Sequence, residues 1–242
     1  SAGPAALPKA CMLTHHSIVQ VSKGVAHRLQ INVDDVFWDP LPLYHLSSHI
    51  PLNACRQVGA TFVCQTHFEA GSALAELERV RATVCYPAFP ALTAAMIDHP
   101  DFSRRDLSNL RLQLTIGAPD LLRRFASAIP HALQIACYGL TECGGICTMS
   151  NPSDALDLRV ERVGTPLPGF EIRIVDPDTL EDQPVGERGE ILVRGPTFAG
   201  YFKDVEQTAN VLLDGGWLRT GDAGWIGTDG QLAYSDRIKD MM

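Results

Sequence analysis

A short segment, "YGLTECGG" at residues 138–145, brings together side chains that can do chemistry. It carries a phenol, a hydroxyl and a carboxylate, at Tyr138, Thr141 and Glu142. The glycines that follow end regular structure and let a ligand approach the backbone closely. The pattern therefore predicts polar groups that are presented to a ligand. A surface turn that happens to hold polar residues is the alternative.

Cysteine and histidine pairs are the other candidates for site chemistry, as metal ligands. Cys143 and Cys147 lie four apart beside Glu142. The sequence has no second pair at ligand spacing, which disfavours a zinc site. His45 and His49 also lie four apart. Without a matching acid and a helical context, we interpret them as ordinary residues rather than metal ligands.

Composition narrows the class of protein. The 242 residues carry a net charge of −8, which argues against a nucleic-acid partner because a phosphate backbone requires Lys/Arg clusters. No apolar run reaches the roughly 18 residues that span a bilayer. Seven cysteines, odd in number and scattered through apolar segments, indicate reduced thiols and a cytoplasmic location. The chain opens at Ser1 within a Gly/Pro-rich loop, so we expect a piece of a longer polypeptide.

Strands and helices are predicted to alternate from residue 15 to about residue 145. Helical spacing of apolar residues occurs in "LTHHSIVQVSKGVAHRLQI", "HLSSHIPLNACRQVGA", "AGSALAELERVRA", "ALTAAMIDH" and "LLRRFASAI". The strands are expected in "DVFWDPLPLY", "ATFVCQ", "TVCYPAFP", "LRLQLTIGAPD" and "ALQIACYG". This alternation predicts an α/β fold with a mostly parallel sheet covered by helices. Ligands bind at the carboxyl ends of such strands, where "GAPD" and "YGLTE" are expected.

The sequence pattern changes near residue 150. From there, short alternating or apolar runs separated by Gly, Pro and Asp turns predict a smaller antiparallel β unit. "TDG" at 228–230 is a hairpin signal, and Asp204 is a plausible cap for the one helix in this region. The predicted domains are therefore residues 1–150 and residues 151–235.

Seven segments in order resemble the signature series of the adenylate-forming superfamily, which includes acyl- and aryl-CoA ligases, amino-acid-activating domains and luciferases. They are "GPAALPKACMLTH" (3–15), "LPLYH" (41–45), "GAP" (117–119), "YGLTE" (138–142), "GERGEILVRGPTFAGYF" (186–202), "WLRTGD" (217–222) and "DRIKDMM" (236–242). The resemblance covers the whole chain and is closest to the acyl- and aryl-CoA ligases. It implies the central part of the large N-terminal domain, with residues 1–150 binding nucleotide and acyl group and residues 236–242 forming a hinge to a C-terminal domain.

The resemblance also implies a reaction and its participants. A carboxylic acid, ATP, Mg²⁺ and CoA would react through an acyl-adenylate to a thioester. Glu142 would hold Mg²⁺, Thr141 would donate to a phosphate and Tyr138 would flank the adenine. The catalytic residues would be Lys9, His45, Thr141 and Glu142. The nucleotide site would comprise Gly3, Lys9, Gly117, Ala118, Pro119, Tyr138, Gly139, Thr141, Asp222 and Arg237.

Three charged residues near the end of the chain receive roles from the same resemblance. Asp222 would accept both ribose hydroxyls, as an ionised carboxylate can. Its alternative is a turn aspartate that caps a hairpin. Arg237 would reach the ribose or the phosphates, and Lys239 would be the hinge. The alternative for these two is a solvated surface charge.

His45 matches the gate of the acid pocket in CoA ligases. Amino-acid-activating domains usually have an aspartate there, so a histidine favours a simple acid, fatty or aryl. The pocket would be lined near His45, Gly117, Gly144 and Ile146. A histidine that merely starts a helix is the alternative.

The segment "SAGPAALPKA" at residues 1–10, which would be the phosphate-binding loop, departs from the family pattern. Pro4 and Ala5 stand where hydroxyl residues are usual, and Ala6 and Ala10 stand where glycines are usual. The lost hydroxyls remove donors to pyrophosphate. Two other functions therefore stay open: an adenylation domain that loads a carrier-protein thiol, and a degenerate non-catalytic nucleotide- or acyl-binding protein. A carrier protein or a second copy of the chain is a possible partner.

Overall fold

The computed structural model describes residues 8–238, which fall into two compact units. The parallel unit contains residues 25–136 and 150–161. The antiparallel unit contains residues 8–24, 137–149 and 162–238. Helix α1 (His15–Arg28) contributes residues to each. The division into domains at residue 150 stays a prediction. No helix within residues 8–238 has the length and apolarity needed to cross a membrane.

The parallel unit is a five-stranded sheet with helices between its strands. The strand order is β2-β1-β3-β4-β5, and every pairing is parallel. The strands are β1 (Val36–Asp39), β2 (Thr61–Cys64), β3 (Val84–Ala88), β4 (Leu112–Thr115) and β5 (Leu133–Ile135). The helices are α2 (Leu46–Val58), α3 (Ala70–Arg79), α4 (Pro90–Ile97), α5 (Pro119–Ala128) and α6 (Leu156–Glu161). The predicted α/β fold class is confirmed.

Local chemistry explains why these elements form where they do. The carboxylate of Glu69 accepts hydrogen bonds from the first backbone N–H groups of α3 and caps that helix. The buried face of α3, with Leu74 and Leu77, packs into one core cluster with Trp38 of β1. Strand β3 is buried along its whole length, as expected for the middle strand of a covered parallel sheet.

The antiparallel unit holds two small sheets. The larger has the order β11-β12-β10-β9, with β13 also paired to β12. Its strands are β9 (Glu171–Val175), β10 (Gly189–Arg194), β11 (Leu212–Leu213), β12 (Trp217–Ile226) and β13 (Leu232–Arg237). The smaller sheet joins β6 (Cys137–Tyr138), β7 (Thr148–Met149) and β8 (Thr165–Pro166). Helix α7 (Val205–Val211) completes the unit.

Three predictions for this region are confirmed. The sheets are antiparallel, and the "TDG" segment connects β12 to β13 as a hairpin, with Ile226 opposite Leu232. The carboxylate of Asp204 accepts a hydrogen bond from the backbone N–H of Gln207 and caps α7.

One strand prediction is wrong. "ALQIACYG" is not a single strand, because the chain leaves the parallel sheet after Ile135, and Cys137 and Tyr138 pair antiparallel with β7. "GAPD" does follow the parallel strand β4, whereas "YGLTE" begins with Tyr138 at the end of β6, a strand of the other unit. Apart from Gln134, residues 132–138 are apolar or aromatic, and most of them are buried, so their sequence pattern does not reveal the break.

The glycines of "YGLTECGG" explain the reversal that creates β6 and β7. Gly144 and Gly145 have φ angles of +75° and +108°, which an L side chain rarely adopts. A Cβ atom on Gly139 would lie 2.3 Å from the carbonyl oxygen of Gly145. The returning chain is closed by a 2.9 Å hydrogen bond from the Cys147 N–H to the Tyr138 carbonyl. These glycines therefore build a tight loop that carries Thr141 and Glu142.

Candidate functional site

A buried hydrogen bond joins Tyr138 to Asp222 within the antiparallel unit. The Tyr138 hydroxyl donates to Asp222 Oδ2 over 2.7 Å. The Tyr138 ring also stacks on Tyr234 of β13, with centroids 5.7 Å apart. Burial, followed by the charge of Asp222, raises the pKa of Tyr138 well above its ordinary value. Tyr138 is therefore a neutral donor at neutral pH.

Asp222 is presented by a bulge in β12. Residues 220–222 lie between the pairs Arg219–Leu192 and Ala223–Glu190, so three residues face the single residue Ile191. The Thr220 hydroxyl donates to the Ile191 carbonyl over 2.7 Å. Gly221 has a φ of +69°. Each residue of "TGD" thus has a separate structural role, and Asp222 lies within a strand rather than at a hairpin turn.

An ion pair between the buried Glu190 and the partly exposed Arg219 supports this bulge. Glu190 of β10 is 2% exposed, and its Oε2 accepts from Arg219 Nε over 2.9 Å. Its Oε1 accepts from the Gly221 N–H over 3.1 Å. Sequence reasoning placed Glu190 within the segment 186–202 but gave it no role of its own. The available signal was an acidic residue directly before the apolar run "ILV".

Arg237 lies opposite Asp222 in the β12–β13 register. Its Nε is 2.9 Å from Asp222 Oδ1. The two side chains form an ion pair, but the contact does not have the geometry of a hydrogen bond. Oδ1 therefore accepts no hydrogen bond from residues 8–238. Burial raises the pKa of Asp222, while the Tyr138 hydrogen bond and Arg237 oppose that rise. A buried carboxylate oxygen that is ion-paired but accepts no hydrogen bond has lone pairs that can receive the hydroxyls of a ligand.

Glu142 and Tyr201 form a second pair in the same unit. Glu142 sits in the short 3₁₀ turn Thr141–Cys143 and is 4% exposed. Its Oε1 accepts a 2.7 Å hydrogen bond from the Tyr201 hydroxyl. Its backbone carbonyl accepts from the Phe198 N–H over 2.8 Å. Glu142 is thus held in place by hydrogen bonds to both its side chain and its backbone.

Lys9 is held beside the same tyrosine. Its Nζ lies 5.0 Å from the centroid of the Tyr201 ring and donates to Gln207 Oε1 over 3.0 Å. The backbone explains this placement, because Cys11 pairs antiparallel with Tyr201 and the Phe202 N–H donates to the Ala10 carbonyl. The segment that carries Lys9 therefore runs alongside the segment that carries Tyr201.

The donor set fits a magnesium ion that is bound together with phosphates. Mg²⁺ takes oxygen ligands and usually keeps only one or two carboxylates, with phosphates and waters filling the other positions. Glu142 supplies one carboxylate. The described part of the chain contains no group of three or more Cys, His, Asp or Glu that could hold a metal by itself. Burial and Glu142 raise the pKa of the Cys11 thiol to about 11, which keeps this nearby sulfur protonated.

The remaining predicted residues fall into three groups. His45 and the segment 117–119 belong to the parallel unit, where they follow β1 and β4 and are exposed. His45 is also the N-cap of α2, because its Nδ1 accepts from the Ser47 N–H. Gly139, Thr141, Gly144 and Ile146 belong to the loop of the antiparallel unit, where Ile146 is buried. Gly3 and Lys239 lie outside the described residues 8–238.

The structure thus gathers Lys9, Tyr138, Glu142, Asp222 and Arg237 in the antiparallel unit. Sequence reasoning did not single out Tyr201 or Tyr234, although both lie in or next to quoted segments. A tyrosine next to a glycine gives no signal of its own that its hydroxyl binds a distant carboxylate.

Comparison with known proteins identifies relatives along the whole chain. It is 34% identical over 253 residues to the 4-coumarate–CoA ligase CCL1 of Humulus lupulus, covering 100% of this chain and 46% of that protein. The ATP-bound structure of MatB from Rhodopseudomonas palustris matches with a TM-score of 0.89 and 28% identity, over 98% of this chain and 46% of that one.

A third relative forms a different bond. The amide bond synthetase McbA from Marinactinospora thermotolerans matches with a TM-score of 0.87 and 31% identity, covering 98% of this chain and 48% of that one. The chain spans about half the length of the relatives it matches. A model of the family described as AMP-binding enzyme matches residues 2–202. The chain therefore belongs to the AMP-binding enzyme family.

Proposed function

We propose that this chain forms the nucleotide-binding part of an enzyme that activates a carboxylic acid with ATP and then forms a thioester with CoA. The observation that carries the proposal is Asp222, a buried carboxylate whose Oδ2 accepts from Tyr138 and whose Oδ1 forms an ion pair with Arg237 but accepts no hydrogen bond within residues 8–238. Membership of the family and the similarity to a 4-coumarate–CoA ligase support the reaction class.

The nucleotide would be held by groups with complementary chemistry. Asp222 would accept hydrogen bonds from the ribose hydroxyls, with Arg237 balancing its charge. The Tyr138 ring would flank the adenine. Lys9 and Thr141 would contact the phosphates, where negative charge accumulates as pyrophosphate leaves.

The reaction has two balanced steps. A carboxylate oxygen of the acid bonds to the α-phosphorus of ATP while the bond to pyrophosphate breaks. The sulfur of CoA then bonds to the acyl carbon, AMP leaves, and the thiol proton goes to solvent. Glu142 would hold Mg²⁺, which screens phosphate charge when bound. This chain's own residues bind and orient the nucleotide for these steps.

The acid would bind at the carboxyl edge of the parallel unit. In the strand order, β2 lies on one side of β1, and β3, β4 and β5 lie on the other. The chain therefore leaves the gap between β1 and β3 in opposite directions, and open α/β sheets bind ligands at such switch points. His45 follows β1, and the exposed Leu43 and Tyr44 precede it. These apolar neighbours favour a fatty or aryl acid. Gly117, after β4, would line the same edge.

An amine acceptor is the second candidate, because McbA, named as an amide bond synthetase, is 31% identical to this chain. The acyl-adenylate would be common to both functions, and only the nucleophile would differ. A carrier-protein thiol is the third acceptor, and a degenerate nucleotide-binding protein is the remaining alternative.

Calorimetric titration of the natural protein at its full length tests the nucleotide site. We expect AMP to bind, and Asp222→Ala to weaken binding by about 10- to 100-fold, because hydrogen bonds to a charged group contribute roughly 1.5–3 kcal/mol. ATP should bind with a Mg²⁺ dependence that Glu142→Gln removes. Asp178→Ala, at an exposed aspartate of the same unit, is the matched control.

Acid-dependent pyrophosphate release then tests the chemistry. Its appearance with 4-coumarate or a fatty acid, followed by a CoA thioester, supports the proposal. An amide with no thioester would favour the second candidate. AMP binding with no Mg²⁺-dependent ATP binding would favour the degenerate alternative and overturn the proposal.

A further inference from the structure

Tyr201 connects two groups on the phosphate side of the proposed nucleotide site. Its hydroxyl donates to Glu142 Oε1 over 2.7 Å, and its ring face lies 5.0 Å from Lys9 Nζ. One side chain thus contacts both the carboxylate proposed to hold Mg²⁺ and the lysine proposed to contact phosphate. We propose that Tyr201 is a positioning residue that fixes Glu142 for Mg²⁺ and spaces Lys9 from it. This inference rests on the proposed function.

The surroundings of Tyr201 make it a rigid support. The residue is 7% exposed, and its ring packs edge to face against Phe198 with centroids 4.9 Å apart. The Tyr201 N–H donates to Thr208 Oγ1 of α7 over 2.9 Å. A Cβ atom on Gly200 would lie 2.8 Å from the Thr208 Cγ2 atom, so the backbone lies close against α7. Tyr201 is therefore fixed by contacts that do not involve its hydroxyl.

Glu142 needs such a support because its side chain must be held in one orientation to bind a metal. A carboxylate on a short 3₁₀ turn has several rotamers, and only some of them direct an oxygen toward a metal. The bond from Tyr201 selects one rotamer and occupies one lone pair of Oε1, which leaves the other lone pair and Oε2 for a metal. Partners of this kind, which orient a metal ligand, commonly alter metal affinity by about 10- to 100-fold when they are removed.

The variant Tyr201→Phe isolates the hydroxyl, because the ring contacts with Lys9 and Phe198 are retained. We expect the Mg²⁺ concentration for half-maximal ATP binding to rise about tenfold. AMP binding measured without Mg²⁺ should be unchanged. Tyr86→Phe is the matched control, because Tyr86 is a buried tyrosine of the parallel unit. It should lose stability without a shift in Mg²⁺ dependence.

A second variant, Tyr201→Leu, tests the spacing of Lys9. Loss of the ring should weaken ATP binding at saturating Mg²⁺, a loss that Tyr201→Phe does not show. The measurements are calorimetric Mg²⁺ titrations with ATP on the full-length natural protein, with thermal unfolding followed in parallel.

The outcomes separate this inference from the proposed function. If the wild type binds ATP with a Mg²⁺ dependence that Glu142→Gln removes, and Tyr201→Phe has the wild-type half-saturation, the role of Tyr201 is wrong and the function stands. If the wild type shows no Mg²⁺-dependent ATP binding, the proposed function fails. An equal loss of AMP and ATP binding in Tyr201→Phe would indicate a structural role only and would also overturn the inference.

Discussion

The hydroxyl of Tyr138 and the carboxylate of Asp222 are 84 residues apart in the sequence and 2.7 Å apart in the structure. Both side chains are buried, in β6 and β12 of the same unit. The bond fixes one oxygen of the carboxylate and leaves the other facing Arg237. Tyr138 therefore helps to keep Asp222 ionised, in addition to its proposed contact with adenine.

Tyr138→Phe should make ligand binding more sensitive to acid. The hydrogen bond from Tyr138 lowers the pKa of Asp222 and opposes the larger effect of burial, which raises it. Removing the hydroxyl should raise that pKa further, so the carboxylate protonates at higher pH. We expect the loss of adenosine affinity on acidification to begin at a higher pH in the variant than in the wild type. The check is the adenosine dissociation constant from pH 4.5 to 8, because adenosine has no titrating phosphate.

The ring of the variant keeps its stacking on Tyr234, so stacking alone should leave the affinity at pH 8 close to that of the wild type. A loss of affinity that begins at the same pH in both proteins would show that Tyr138 has no influence on the ionisation of Asp222.

Gly221→Ala should disturb the bulge that presents Asp222. Gly221 has a φ of +69°, and an added Cβ would meet nothing within 4 Å, so the cost is backbone strain of roughly 1–2 kcal/mol rather than a clash. Relief of that strain should shift Asp222. We expect adenosine binding to weaken roughly tenfold, which corresponds to about 1.4 kcal/mol.

Gly216→Ala is the matched control for this prediction. Gly216 has a φ of +79°, also has nothing within 4 Å, and lies in the turn before β12. Urea unfolding should show similar losses of stability in the two variants, and only Gly221→Ala should lose affinity. Equal affinities in both variants would contradict the role assigned to the bulge.

Asp39→Asn should change the pH dependence of stability in the parallel unit. Asp39 is fully buried at the end of β1, and burial raises its pKa to about 7 despite bonds from the Leu41 N–H and the Ser48 hydroxyl. Between pH 4 and 7 the folded state keeps a proton that the unfolded state has lost. The contribution of Asp39 to stability is therefore full below about pH 4 and falls as pH rises to about 7, by on the order of 4 kcal/mol at most.

Free energies of unfolding in urea at pH 4.5, 6 and 8 test this expectation. The difference between wild type and Asp39→Asn should change with pH in favour of the variant as pH rises. Asp34→Asn, at an exposed aspartate just before β1, serves as the control and should follow the wild-type profile. A constant difference between wild type and Asp39→Asn would mean that Asp39 is ionised throughout.

The amino-acid sequence by itself determined the two kinds of sheet. Alternating apolar runs and amphipathic helices predicted the parallel unit, and short runs between Gly and Asp turns predicted the antiparallel one. Local signals also identified the Asp204 cap and the hairpin at 228–230, because both depend on residues that are neighbours in the chain. The ordered motifs indicated the family, and the match over residues 2–202 confirms it.

The tertiary structure decided how the site residues are partnered. The break after Ile135 depends on a backbone return that glycines permit but apolar periodicity does not reveal. Glu190 accepts a hydrogen bond from Gly221, which lies 31 residues away in the sequence. Glu142 accepts one from Tyr201, which lies 59 residues away. Such pairings depend on which strands are adjacent and on which face each side chain lies. The physical reason is that hydrogen bonds form between atoms that are close in space, and only the folded chain sets those distances.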